Sequence, residues 1–578
     1  MRALPGADPV TPATGAPVLG GDVSALLDEQ IRVGGARPAV TYPVDTRVDG
    51  SPGFRTMTYA EFGTRVRSYA AGFERIGITA GVKTIVMVRP EPDLFAVLFA
   101  LFRVGAVPVV VDPGMGLRRM LHCFRSVGAE AFVGIPEAHL VRLAYRRTFA
   151  TVRVHVTAGR SLWGGHTLAS LRDEPPRPQP VREPGDLFMI AFTTGSTGPA
   201  KGVEFTRAGF AAALTAVAEM HGRAGQFVSL TSVPLFGIFD LLQGAHVVLG
   251  PVDPVKVASA DPALLTQVAR RFGATDLTAS PALLTRLGAY LAEESSRLPD
   301  LVRVISMGAP ANLTALAQIR AALGPDARVF TTYGATEALP VSTLEWAELD
   351  ATRPATADGA GVCVGTPWAP GELDDSVRLI TVGDEPVERW HDGLRVPPGT
   401  VGEIVACGGQ VSRAYHRNPE ADAKHKIHET TPDGTTRVWH RLGDLARFDE
   451  QGRLWFCGRL SQRVRTAAGD LYTVQCEQIL NTHPEVARTA LVGIGEPGRQ
   501  IPVVCFETRD GVTDVARLQR ELWQLARTSP LTGALTVFLP HPGFPVDIRH
   551  NAKIGREELA PWAAATLGHT TTREGTKR

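Results

Sequence analysis

The chain has 578 residues, a formal net charge of +1, and 44% hydrophobic against 21% charged residues. That length allows several domains, and the near-neutral balance argues against nucleic acid or an anionic membrane as a partner. The six cysteines (Cys123, Cys363, Cys407, Cys457, Cys476 and Cys505) lie far apart with no Cys-x-x-Cys pair, which excludes a zinc ribbon or a disulfide frame and fits a reducing, cytoplasmic setting.

Residues 1–22 are rich in Pro, Gly and Ala and read as a flexible lead, without the charged start and long apolar core of a signal peptide. "TIVMV" (84–88) and "AVPVVV" (106–111) read as buried strands flanking "LFAVLFALF" (94–102). That run is about half the length of a membrane span, so it is expected as a core helix ending near Gly105, with no transmembrane segment. "LFMIAF" (187–192), "LVRVISM" (301–307) and "ARVFTTY" (327–333) are further apolar strands, each running into a loop of small residues. Continuous apolar strands separated by helices predict sheets covered on both faces, hence an α/β class. From 361 to 460 short strand signals such as "VGEIVACG" predict a β-rich section. After "FCGRLSQRV" (456–464) a compact unit follows, with a helical stripe at 515, 518, 522 and 525 and a strand at "LTVFLP". The expected division is 1–22 lead, 23–459 large domain, 460–567 small domain and 568–578 frayed tail.

The densest chemical signal is "FTTGSTGPAKGV" (192–203). Glycines let backbone amides approach an anion, hydroxyls donate to phosphate oxygens, and Lys201 adds charge. It is not a Walker A loop, because Gly202 follows Lys201 where Ser or Thr is required. A second signal is the use of lysine. Of 60 basic residues only seven are Lys (83, 201, 256, 424, 426, 553 and 577), so a lysine in "PVDIRHNAKIGREEL" (545–559) points to a need for a compact cation there.

These stretches, in this order, resemble the ANL adenylate-forming enzymes over roughly residues 25–560. The resemblance implies an ANL fold: a large N-terminal domain of layered α/β sheets with a β-barrel-like subdomain, and a small mobile C-terminal α+β domain. It implies ATP and Mg²⁺ as cofactors. Thr193, Thr194, Gly195, Ser196, Thr197, Gly198 and Lys201 would form the phosphate loop. "SMGAP" brings Gly308, Ala309 and Pro310 against the adenine, and "TTYGATEALP" (331–340) brings Thr332, Tyr333 and Gly334, with Tyr333 stacking on it. Thr336 would contact the α-phosphate, Glu337 would hold Mg²⁺ with Thr194, Asp444 would accept from the ribose hydroxyls, and Arg459 would sit near the hinge. Lys553 would be the catalytic lysine.

The chain departs from the CoA-using members. Gly237, in "PLFGIFDLLQG" (234–244), stands where they commonly carry His or an aromatic residue. The hinge reads Arg459-Leu460-Ser461, the next loop is one residue longer than usual, and "HNA" precedes Lys553. With these features the chain resembles the OleC-type β-lactone synthetases of bacterial olefin biosynthesis. That resemblance implies adenylation of a 2-alkyl-3-hydroxy fatty acid, followed by attack of its own 3-hydroxyl, with His550 a candidate base. The alternative is a fatty acyl-CoA or acyl-AMP ligase. A complex with other pathway enzymes is a further expectation.

Overall fold

In a computed structural model that describes residues 22–46, 52–171, 182–193, 200–223, 225–253, 257–546 and 554–575, the apolar runs become the central strands of two large sheets. The first, in spatial order, is His166–Thr167, Val154–Thr157, Ala131–Gly134, Lys83–Met87, Val107–Val111, Leu187–Thr193 and Lys201–Thr206. All neighbours are parallel except the last pair. The second runs Ala338–Glu345, Arg328–Ala335, Arg303–Met307, Asp276–Ala279, Val228–Thr231, His246–Leu249, Pro38–Thr46 and Pro52–Thr58. Its centre is parallel and an antiparallel hairpin closes each end.

Helix Pro92–Val104 is the expected core helix. Its 13 residues span about 20 Å, too short for a bilayer of about 30 Å. Gly105 ends it at φ +75°, a left-handed conformation that glycine adopts without a Cβ clash. One core cluster joins this helix to side chains of both sheets, among them Val86 and Val133 of the first and Val40 and Val247 of the second. Sheet, helix layer and sheet thus share one interior, which is why the helix shows no polar face. No helix among the described residues is long and apolar enough to cross a membrane.

The β-rich section is an antiparallel sheet ordered Val362–Gly365, Leu454–Arg459, Thr436–Phe448, Gly402–Ala406 and Val377–Ile380, with Lys426–Thr430 also paired to Thr436–Phe448. Beyond Arg459 a 3₁₀ turn (Leu460–Gln462) leads into the C-terminal unit. There Val486–Ile494, Ile501–Thr508 and Val537–Pro540 form a three-stranded sheet. Adjacent strand residues point to opposite faces. Leu491 and Val504 enter one core with helix Val515–Ala526, and Val492 and Val503 enter another with helix Arg556–Gly575. That last helix continues through residues 568–575, where the composition had looked like a tail. The N-terminal lead lies outside the described residues up to 21, and Asp22 caps the first helix.

Three buried histidines make this fold sensitive to acid. His139 is pushed down to about 4, His221 to about 3 and His440 well below its usual range, in each case chiefly by burial. Each stays neutral when folded and takes up a proton near pH 6.5 once unfolded. The unfolded state therefore binds more protons below that pH, and stability falls as pH drops from about 6.5 toward 4. The expected slope is about 1.4 kcal/mol per pH unit per histidine, checked by urea unfolding at a series of pH values in wild type and His139→Gln.

Candidate functional site

The strand Arg328–Ala335 and its partner Ala338–Glu345 form a hairpin whose turn is Thr336–Glu337. Parallel strands deliver ligands to their carboxyl ends, and this hairpin puts Thr332, Tyr333 and Gly334 there. Gly334 is required by close approach, since a Cβ would stand 2.8 Å from the Ala338 carbonyl oxygen. The next strand, Arg303–Met307, is in register with it through Met307 and Thr332, so Gly308, Ala309 and Pro310 emerge alongside. Gly308 turns the chain at φ +92°.

Asp444 and Arg459 are direct cross-strand partners in the antiparallel sheet. Their side chains pair at 3.0 Å, and the Tyr333 hydroxyl donates to the other Asp444 oxygen at 2.6 Å. Asp444 is buried, whereas Arg459 keeps 37% of its side chain exposed. Burial, then the Asp444 charge, pushes the Tyr333 hydroxyl well above its usual range, so it stays a donor. The Asp444 charge in turn raises Arg459. Tyr333, 111 positions before Asp444 in the sequence, thus joins the Asp444–Arg459 pair in one cluster.

Thr193 and Lys201 pair across the antiparallel strands that bracket the Gly/Ser/Thr loop. Thr194, Gly195, Ser196, Thr197 and Gly198 lie outside the described residues, as do His550 and Lys553. Lys201 Nζ lies 2.7 Å from His425 Nε2 and 5.1 Å from the Tyr415 ring centroid. Burial lowers Lys201, and the Glu337 charge opposes that shift. His425 is pushed to about 4 by burial and then by Lys201, so its neutral ring accepts the ammonium proton. Tyr415 donates its hydroxyl proton to Glu337 Oε1 at 2.8 Å. Thr336 sits half-buried in the turn.

Several residues here were not read from the sequence. Tyr415, His425 and Lys426 come from the segment 411–426, whose local pattern carries no phosphate or metal motif. The scarcity of lysine would have found Lys424 and Lys426 had it been applied to them as it was to Lys553. His221, whose Nε2 is 2.9 Å from Thr332 Oγ1, also had no local signal. It sits beside buried ion pairs in which Arg303 joins Asp276 at 2.6 Å and Arg223 joins Asp240, below the strand ends. The apolar stretch 234–244 packs chiefly as core: Ile238, Phe239, Leu241 and Leu242 are all buried.

Gly237 belongs to that packing. A Cβ there would lie 2.9 Å from the ring of Phe95 and 3.3 Å from Val247. Gly237→His is therefore expected to cost about 1–3 kcal/mol of stability, readable as a shifted urea midpoint.

Among the described residues there is no group of three or more His, Cys, Asp or Glu able to hold an ion. The turn beside Lys201 offers one carboxylate, Glu337. It fits Mg²⁺, which keeps its waters and is held by one or two carboxylates plus substrate phosphates.

The sequence profile of the AMP-binding enzyme family matches residues 27–416. An olefin beta-lactone synthetase of Stenotrophomonas maltophilia (strain K279a) is 46% identical over 516 residues, which are 89% of this chain and 92% of the relative. A protein of the same name from Xanthomonas campestris pv. campestris is 44% identical over 515 residues, 88% and 91% of the two chains. Among solved structures, the amide bond synthetase McbA from Marinactinospora thermotolerans covers 93% of this chain and 99% of its own, with a TM-score of 0.73 at 23% identity. An ATP-bound MatB from Rhodopseudomonas palustris has the same TM-score at 19% identity, covering 94% and 99%.

Proposed function

This chain belongs to the AMP-binding enzyme family, and from that membership we propose that it is an ATP-dependent β-lactone synthetase. The observation that carries the reading is the 46% identity to an olefin beta-lactone synthetase across nearly the whole of both chains, large and small units alike. The reaction is AMP-forming ligation in two steps. A carboxylate oxygen of a 2-alkyl-3-hydroxy fatty acid attacks the α-phosphorus of ATP, and the bond to the bridging oxygen breaks to release pyrophosphate. The 3-hydroxyl oxygen then attacks the acyl carbonyl carbon. The carbonyl–phosphate bond breaks, AMP departs with its electron pair, and a four-membered lactone closes.

The residues divide this work. Tyr333, with Gly308, Ala309 and Pro310, would line the adenine, and Asp444 would accept from the ribose hydroxyls while Arg459 balances its charge. Lys201 and the loop 193–198 would hold the phosphates, with Thr336 at the α-phosphate. Glu337, with Thr194, would hold Mg²⁺, which when bound offsets the negative charge of the phosphate oxygens. Lys553 would bridge carboxylate and phosphate. The 3-hydroxyl gives up its proton on attack, and His550 is the proposed base. Holding the nucleophile two carbons from the carbonyl gives high effective concentration, while ring strain opposes closure, so the site must exclude water from the adenylate. The six free, buried cysteines agree with a cytoplasmic enzyme.

The test is product analysis by NMR after incubating the protein with ATP, Mg²⁺ and one purified 2-alkyl-3-hydroxy fatty acid, with and without CoA. β-Lactone, AMP and pyrophosphate formed equally in both arms are the expected result. A thioester formed only with CoA would replace this reading with that of an acyl-CoA ligase.

A further inference from the structure

We infer that Lys426 is a positioning residue for Glu337, acting through Tyr415 and the segment 411–416. The inference rests on the reading of Glu337 as the carboxylate that meets Mg²⁺ and ATP.

Lys426 opens the strand Lys426–Thr430, and its side chain is among the largest fully buried ones of the molecule. Its ammonium donates to the Ser412 carbonyl oxygen and lies 5.2 Å from the centroid of the Tyr415 ring. Among the described residues it has no ion-pair partner. The charged groups that face it are Glu337, Asp422 and Lys201, and His440, which burial keeps neutral, is its cross-strand partner. A buried ammonium without a paired carboxylate is costly, and an apolar side chain of the same length would serve packing better. A charge kept at such a cost beside a site has a use there.

The segment it holds ties two parts of the site together. Ser412 N–H donates to the Glu337 carbonyl oxygen at 2.7 Å, and Val411 bridges to Ala338. Glu204 N–H donates to the Ala414 carbonyl at 3.2 Å, and His416 N–H to that of Gly202 at 2.8 Å. Residues 411–416 therefore join the hairpin turn bearing Glu337 to the strand that leaves the Gly/Ser/Thr loop. Lys426 anchors this tie at Ser412.

Its second contact acts on the carboxylate itself. The ammonium groups of Lys201 and Lys426 lie 5.1 and 5.2 Å from the Tyr415 ring. Each ammonium is attracted to the ring face, which fixes the ring whose hydroxyl donates to Glu337 Oε1. That charge-assisted bond holds the carboxylate in one orientation and commits one of its oxygens. A metal that arrives with ATP then meets a ligand already aimed, as metal-binding carboxylates require.

The experiment measures ATP affinity by calorimetry on the full chain, once with Mg²⁺ and once with EDTA, in wild type, Lys426→Met, Tyr415→Phe, the double variant and Glu337→Gln. The Mg²⁺-dependent gain in affinity is expected to shrink about 10-fold in each of the first two variants, with thermal unfolding unchanged in Tyr415→Phe. The double variant is expected to lose no more than either alone, because both act on one carboxylate. A wild-type gain in a folded Lys426→Met, or additive losses, overturns the inference. If Lys426→Met does not fold, a wild-type gain in Tyr415→Phe overturns it, and a reduced gain there supports it. Loss of the gain in Glu337→Gln with its retention in Tyr415→Phe and Lys426→Met defeats only the positioning role. Retention in Glu337→Gln defeats that role and the reading of Glu337 together. None of these outcomes depends on which product the enzyme forms.

Discussion

Lys553→Ala is expected to slow ATP–pyrophosphate exchange by about 100- to 1000-fold while changing ATP affinity by less than about 3-fold, under ~0.7 kcal/mol. The reason is the charge of the reacting pair. A carboxylate at 4 Å from a phosphate oxygen is repelled by about 4 kcal/mol at an effective dielectric constant near 20. Each 1.36 kcal/mol of barrier is a factor of ten in rate, so a cation that cancels most of this repulsion accounts for two to three decades. Lys201 belongs to the strand that leaves the phosphate loop, and Lys426 is turned to Ser412 and Tyr415, so each is already committed to its own partners. In the role proposed for it, the compact ammonium of Lys553 would supply what they do not. Lys553→Arg is expected to rescue poorly, because a planar guanidinium does not replace a point charge shared between two oxygens of different groups. Wild-type exchange in Lys553→Ala would remove the lysine from the chemistry.

Asp444→Ala is expected to weaken ATP binding by about 30- to 100-fold, or 2–3 kcal/mol. The substitution removes the proposed ribose acceptor and also strands two donors. The Tyr333 hydroxyl loses its 2.6 Å bond, and Arg459 loses its 3.0 Å ion pair. Tyr333→Phe removes one neutral donor and leaves the Asp444–Arg459 pair, so it is expected to cost under about 10-fold. Calorimetric titration of each variant with ATP and Mg²⁺ gives both numbers. An Asp444→Ala protein that binds ATP as wild type does would exclude a ribose role for this carboxylate.

Much of this architecture was readable along the chain. The apolar runs at 84–88, 106–111, 187–192, 301–307 and 327–333 all became strands, within a residue or two of their expected ends. Strands buried on both faces need unbroken apolar side chains, and that demand is visible without any neighbour. The helix ending at Gly105 was legible for a similar reason, since full burial removes the polar stripe. Tyr333, Glu337, Asp444 and Arg459 were found through a resemblance in ordered motifs. That Tyr333 donates to Asp444, and that Asp444 faces Arg459, follows from strand register, which couples positions far apart in the chain.

The residues between 411 and 426 mark the other side of that line. "SRAYHRNPEADAKHKI" has the look of a turn followed by a solvated helix, and nothing local separates a surface lysine from Lys426. Hydrophobic patterning and backbone preference act over neighbours in the chain, so class, strands and helices were settled by sequence order. Burial of an ammonium beneath Tyr415 depends on how 411–426 folds back on itself, and the turning of that phenol toward Glu337 on segments 78 residues apart meeting in space. Electrostatics and hydrogen bonding respond to distance in three dimensions, and those distances exist only once the sheets have packed.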